Sequence, residues 1–363
     1  MKIGILTQPL HSNYGGLLQN YALQEVLRRM GHDPLTIDRH KPLATSFIKN
    51  VAKHFLQIVK SSYDSSLLTA KQKERLSLKQ KTFVEINISK TGKFFSQTEF
   101  NSYISKHKLD AYIVGSDQCW RPCYSPNIGN YYLDFVDAQT KKIAYAASFG
   151  VDNWEYNNED TQSARALAKR FDAISVRENT AVKLCKDKLG VDATWVLDPT
   201  MLLGKDGYMK FVTPNADTKY VLIYLLEESN EARTLVNNVA RKLDIKEIRS
   251  NIASSIFHRG ESLESHMNMP VEEWLSNIHN ATFVVTDSFH GAVFCILFNV
   301  PFVVKLNSTR GNTRLESLLT DFGLQECICQ DFKGTADFNW QRINSYLKER
   351  QTKSMQFLQA ALA

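Results

Sequence analysis

At 363 residues, with 43% hydrophobic and 23% charged side chains, the chain has the balance of a soluble fold and is too long for one ordinary hydrophobic core, so two domains are expected. No apolar run approaches the roughly 20 residues that span a bilayer, which excludes a transmembrane protein. MKIGILTQPLHSNYGG has one lysine and too short an apolar run for a secretory leader, so a cytoplasmic chain is expected. The six cysteines, Cys119, Cys123, Cys185, Cys295, Cys327 and Cys329, lack the spacing and histidine companions of a zinc site; reduced thiols and no bound metal are the expectation.

Strand-like MKIGILT (1–7) leads through a Gly15-Gly16 turn into the helix LLQNYALQEVLRRMG, stopped at Gly31, and on to strand-like PLTIDRH (34–40). Two or three helical stretches fill 44–107, and much of the net charge of +6 collects there on Lys49, Lys53, Lys60, Lys71, Lys73, Arg75, Lys79 and Lys81. Within this basic insertion Phe47, Ile48, Val51, Phe55, Ile58 and Val59 share one helical face. Two roles fit the 47–60 stripe: packing on the domain, or peripheral contact with the inner face of a membrane. No binding module or aromatic platform accompanies the charge, so nucleic acid is not an expected partner.

DAYIVGSD (110–117), KKIAYAASFG (141–150), DAISVREN (172–179) and TWVLDPTMLL (194–203) read as further strands, with helical SARALAKRF (163–171) and TAVKLCKDKLG (180–190) between some of them. Turn formers across 204–218 mark a linker. The alternation then restarts with YVLIYLL (220–226), a helix over 229–242, KEIRS, the helix VEEWLSNIH, strand FVVTD, a helix after His290, strand PFVVK, a helix over 313–322 and one long terminal helix. The expected fold class is α/β, two Rossmann-like doubly wound domains facing across a cleft. The first covers 1–210 with its insertion at 44–107, the second covers 218–338, and 339–363 crosses back to the first.

The most informative segment is ATFVVTDSFHGAVFCILFNVPFVV (281–304), which sets a single imidazole, His290, where a buried strand turns into a helix. Asp287 and Ser288 are cap-type side chains, and the unpaired N–H groups of such a helix start attract phosphate or carboxylate. His290 then sits beside an anion, or is a core histidine bonded to a carbonyl. Other polar groups fall at strand ends, where open parallel sheets bind ligands: the loop from His11 to Gly16 with Asn13 and Tyr14, Asp117 and Gln118, Ser148, Arg177, and Asp198-Pro199-Thr200. Trp120 is as compatible with packing as with holding a sugar.

In order and spacing, HSNYGGLLQNYAL, VGSDQCW, YAASFG, SVRENTAVKL, VLDPTMLL and TDSFHGAVF resemble the polysaccharide pyruvyl transferase family over about residues 1–330. The resemblance implies two domains arranged as in GT-B glycosyltransferases. It also implies transfer of the enolpyruvyl group of phosphoenolpyruvate, a co-substrate rather than a cofactor, onto a sugar as a cyclic ketal. Phosphoenolpyruvate chemistry asks for a proton donor and anion clamps, which assigns His290 with Arg177 to catalysis. Arg177, Ser288, Gly291, Arg314 and Ser148 fall to the donor, and Asn13, Tyr14, Asp117 and Gln118 to the acceptor. Some relatives carry an arginine where this chain has Ser288; Arg314 or Arg310 would then supply that contact. By family analogy the acceptor is a galactose or N-acetylmannosamine unit of a surface polysaccharide precursor, on a lipid carrier or in a capsule, modified at its 4- and 6-hydroxyls. Two rivals stand beside this reading: a metal-independent glycosyltransferase using a sugar nucleotide, and a non-catalytic carbohydrate-binding relative.

Overall fold

The structure, a computed structural model, describes residues 1–42, 57, 62–64, 67–215, 217–227, 229–252, 256–258, 261–307, 312–329, 331–334 and 338–363. The basic stripe over 47–60, residue 57 excepted, lies outside the described residues, as does Arg310.

Short runs of Ile, Val and Ala, buried on both faces, build two parallel sheets. The strands run β1 (Lys2–Leu6), β2 (Asp33–Thr36), β3 (Ser62–Asp64), β4 (Ala111–Val114), β5 (Lys141–Ala147), β6 (Ala173–Val176), β7 (Thr194–Trp195), β8 (Tyr220–Tyr224), β9 (Glu247–Ser250), β10 (Ile256–His258), β11 (Phe283–Thr286) and β12 (Phe302–Val304). The first sheet has the order β2-β1-β4-β5-β6-β7 and the second β12-β11-β8-β9, every pairing parallel. In each sheet the chain winds outward in one direction and then returns to wind in the other. The crossover falls between β1 and β4 in the first and between β8 and β11 in the second. These switch points open crevices at the carboxyl ends of the strands.

The two halves share apolar packing. Ile5 and Leu18 belong to the same buried cluster as Met201, Tyr208, Trp274 and Phe294. The expected linker is part of this core: Tyr208 is fully buried, its hydroxyl donates to the Thr200 carbonyl at 3.1 Å, and its ring meets Phe294 at 4.9 Å. TWVLDPTMLL forms only the two-residue strand β7 before Asp198 starts the Pro199–Leu203 helix, because proline at the first helical position and an aspartate cap favour a helix there. The Trp340–Leu362 helix touches both halves. Arg342 donates to the Phe322 carbonyl and Tyr346 to Asp321, while farther along Gln351 donates to the Met201 carbonyl and Ser354 accepts the Leu197 N–H. No periodicity announced the antiparallel ribbon in which β3 pairs with β10, with Tyr63 stacked on Phe257. Among the described residues no helix is long and apolar enough to cross a membrane.

Tyr14, expected beside the acceptor, is instead a packing residue between the halves. Its ring stacks on Trp274 at 5.3 Å, its hydroxyl donates to the Met269 carbonyl at 2.9 Å, and it accepts from Gln80 at 2.9 Å. With 6% of its surface exposed, it has no atom to spare for a sugar. Trp120 is likewise fully buried, its indole N–H donating to the Tyr131 carbonyl. Tyr14→Phe is expected to lower unfolding stability by about 1–3 kcal/mol, the net worth of the two hydrogen bonds its hydroxyl makes, with catalytic turnover close to wild type. Urea unfolding alongside an activity assay checks both halves of that statement, and a selective loss of turnover would return Tyr14 to the site.

Candidate functional site

The residues that place His290 come from the β11 end. Thr286 Oγ1 donates to the Tyr224 carbonyl at 2.7 Å and accepts the Ser288 N–H at 3.0 Å, locking the turn. Ser288 then caps the Phe289–Phe298 helix, accepting the Gly291 N–H at 3.4 Å. Glycine is required at 291, since a Cβ there would fall 2.3 Å from Thr286 Oγ1. Asp287 is not a cap: its oxygens accept from the Leu226 and Glu227 N–H groups and from Asn307, bracing the β8 end against β11.

The imidazole is pressed against the other half of the molecule. A Cβ on Gly15 would lie 1.9 Å from His290 Nδ1 and 2.3 Å from its Cγ, so only glycine lets the first turn of the Tyr14–Arg29 helix approach the ring. Asn13 caps that helix, accepting the Gly16 N–H at 3.2 Å. Two helix N-termini, one from each half, therefore converge on His290, and both favour negative charge nearby.

Behind the ring lies Asp198, fully buried. It accepts from Ser116 Oγ at 2.9 Å, the Thr200 N–H at 2.9 Å, Thr200 Oγ1 at 2.6 Å and Arg177 Nη1 at 2.7 Å, and its Oδ2 is 3.8 Å from His290 Nε2. Burial alone would raise its pKa, but His290, Arg177 and Thr200 outweigh that and hold it well below the usual carboxylate range. The second Arg177 nitrogen reaches Asp117 at 3.4 Å, and the guanidinium carbon lies 4.6 Å above the Phe289 ring. Burial acts to lower the Arg177 pKa; Asp198, Asp117 and Glu178 reverse it, so the guanidinium stays charged.

The expected site residues divide accordingly. A cleft of about 800 Å³ between the halves is lined by Asn13, Asp117, Gln118, Ser288, His290 and Arg314. Arg177, expected to grip the donor, lies beneath this floor with 1% of its side chain exposed, its guanidinium engaged by two carboxylates; it shapes the site rather than opening into it. Ser148 is also withdrawn. Its hydroxyl donates to Glu178 at 2.9 Å, and the same carboxylate oxygen accepts the Phe149 and Gly150 N–H groups. Burial raises the Glu178 pKa, partly offset by Arg177 and Arg314. Gly291 contributes only its capped N–H. Arg314 remains the guanidinium at the cleft. Burial, then repulsion from Arg177, brings its pKa down to about 10, which leaves it charged at neutral pH, and its Nε is buried without a hydrogen-bond partner among the described residues.

Asp198, which the sequence places among the strand-end polar groups without giving it a role, is the partner of His290; only the fold reveals its neighbours. His11, from the loop the sequence pointed to, also lines the cleft, and Gln8, His40, Lys41 and Tyr124 line it unannounced.

Residues 13–309 match the family described as polysaccharide pyruvyl transferase. The chain belongs to the polysaccharide pyruvyl transferase family. A search of curated proteins finds no match. Among solved structures, UGT89C1 of Arabidopsis thaliana, complexed with UDP-L-rhamnose, is 7% identical and superposes with a TM-score of 0.54 over 98% of this chain and 97% of that one. MnaA of S. aureus, solved with UDP, is 13% identical (TM-score 0.49, 98% and 90% covered), and MurG of Acinetobacter baumannii 10% identical (TM-score 0.44, 98% and 94% covered). At such identity the likeness to UGT89C1 is one of fold alone, and this pyruvyl transferase family member has the two-domain GT-B-like architecture.

Two outcomes follow for this family member. Gly15→Ala alone should cost about 1–3 kcal/mol through overpacking, and much less in a His290→Ala background, where the ring is gone. Equal costs in both backgrounds, read from urea midpoints, would separate Gly15 from His290. The depressed pKa of Asp198 contributes stability that is complete above its unfolded value of about 3.9 and lost as pH falls below it. Glu178, raised by burial, acts oppositely, its contribution present at low pH and lost as pH rises. Wild-type stability should therefore fall between about pH 4 and 2 more steeply than that of Asp198→Asn; parallel curves would remove Asp198 from the account.

Proposed function

We propose that the protein transfers the enolpyruvyl group of phosphoenolpyruvate onto a sugar as a cyclic ketal, with His290 as general acid/base. The observation that carries this reading is the site of His290: one imidazole in an interdomain cleft, backed by the Asp198 carboxylate, with two helix N-termini and the Arg314 guanidinium close by. Phosphoenolpyruvate presents a phosphate and a carboxylate on one small frame. Helix-start N–H groups and a guanidinium suit those two anions, and a cleft of this size accommodates a sugar beside them.

Protonation of the methylene carbon places positive charge on C2, which a sugar hydroxyl attacks; loss of phosphate then lets a second hydroxyl close the ring. His290 Nε2 lies 3.8 Å from Asp198 Oδ2, so the carboxylate behind the ring positions it at the cleft floor. Arg177 holds Asp198 in place from below. We assign donor contacts to Arg314 and Ser288, and acceptor contacts to Asn13, Asp117 and Gln118 on the first-sheet side. The acceptor we favour is galactose or N-acetylmannosamine, at its 4- and 6-hydroxyls, within a surface polysaccharide precursor. A sugar-nucleotide donor is the rival, motivated by the fold shared with a protein solved in complex with UDP-L-rhamnose.

Incubation with phosphoenolpyruvate and a β-galactoside, then with a UDP-sugar instead, separates the two by product mass and phosphate release. Ketal product with phosphate is expected. His290→Ala should lose turnover by about 10²-fold or more while melting normally, and Arg314→Met should raise the KM for phosphoenolpyruvate. Glycosyl product with the UDP-sugar alone would replace this reading.

A further inference from the structure

The same cleft holds a second imidazole–carboxylate pair that the chemistry above leaves idle. Beyond the end of β2, His40 Nε2 lies 2.8 Å from Asp38 Oδ1. Asp38 is 2% exposed and fixed by its surroundings: its Oδ1 accepts the Leu10 N–H at 3.3 Å and its own N–H donates to Thr91 Oγ1, while its Oδ2 is buried without a hydrogen-bond partner among the described residues. His11 stands edge-on to His40, ring centroids 6.3 Å apart. Burial and then His40 lower the His11 pKa, against weaker raising by Asp38, so His11 is uncharged at neutral pH and adds no cation beside His40. Both imidazoles line the cleft together with His290, Asp117 and Gln118.

A carboxylate that accepts a hydrogen bond from one ring N–H leaves the lone pair on the other nitrogen, the arrangement that makes histidine a base in acyl-transfer triads. With Nε2–H donated to Asp38, the acceptor nitrogen of His40 is Nδ1. We propose that His40, oriented by Asp38, is the base that takes the proton of the attacking sugar hydroxyl, on the acceptor side of the cleft. This rests on the pyruvyl transfer reading and deepens it.

The proton inventory gives such a group a place. His290 gives one proton to C3, making the methyl group, and the first hydroxyl oxygen bonds to C2 as its proton passes to His40. The C2–O bond to phosphate then breaks, its electron pair leaving with phosphate, which takes the proton that His40 received. The second hydroxyl oxygen bonds to C2 and its proton returns His290 to its starting state by way of solvent. Two hydroxyl protons leave the sugar; one is made good in the methyl group and one in phosphate. Protonation of C3 calls for an acid and hydroxyl attack at C2 for a base, and two separate imidazoles fill both roles without one ring having to change state between the steps.

The experiment compares full-length wild type, His40→Ala, His40→Gln and Asp38→Asn with phosphoenolpyruvate and a β-galactoside, following phosphate release and ketal mass. His40→Ala should slow kcat by about 10²- to 10⁴-fold with the KM for phosphoenolpyruvate unchanged, and added imidazole should restore part of the rate. His40→Gln, which keeps the bulk and serves if the alanine variant does not fold, should be equally slow. Asp38→Asn should lower kcat less, without response to imidazole, since its own base is still present. Turnover of folded His40 variants within about threefold of wild type, or a loss confined to KM, overturns the assignment. A wild type that makes no ketal at all overturns the underlying reaction instead, and the two failures are told apart by that first measurement.

Discussion

One buried carboxylate organises this molecule. Asp198 sits where four donor groups from the β4, β6 and β7 ends meet, and the imidazole near it, His290, comes from the other half. A charge so placed is costly unless every lone pair is answered. The Arg177 guanidinium answers it from one side and is itself buried, so removing either member strands the other at about 3–5 kcal/mol. The first half is thus obliged to keep these loops in one arrangement, and that arrangement fixes where the imidazole of the second half meets it.

The cleft is the consequence of two switch points brought face to face. Winding from β1 to β2 and then back to β4 leaves Gln8, His11, Asp117 and Gln118 around one crevice. Winding from β8 to β9 and back to β11 leaves Tyr224 and the Asp287–His290 turn around the other. Neither crevice alone holds a complete site. Joined through Trp274, Tyr208 and Phe294, they put acidic, imidazole and guanidinium groups on one volume. Gly15 sets the closeness of approach, because any side chain there would occupy the position of the ring.

What the sequence made legible were local features with a physical signature. The Phe283–Val285 run and Ser288 identified a strand–helix junction, and therefore the place of His290, from periodicity and capping alone. Alternation of apolar runs with helical stripes identified both sheets. The roles of Arg177 and Tyr14 were illegible for the opposite reason. Whether a guanidinium at a strand end faces ligand or floor depends on Asp117 and Asp198, 60 and 21 residues away. Whether a tyrosine in a loop meets sugar or core depends on Met269, 255 residues away. The turn formers of 204–218 concealed Tyr208 in the same way. Burial is a property of the partner, and sequence pattern reports only the near side of the contact.

The two guanidiniums illustrate how the fold divides labour among like residues. Arg177 has two carboxylates and an aromatic face, so its charge is balanced within the protein and exerts little net pull on a ligand. Arg314 has no such ion pair among the described residues, and burial, then repulsion from Arg177, brings its pKa down to about 10. A cation left under-compensated at a cleft stabilises an incoming anion more than a paired one does, because no internal partner must first be given up. The arginine in the recognisable SVRE motif is therefore balanced within the protein, and the less conspicuous one, in a stretch the motif does not mark, is the one we propose binds the donor.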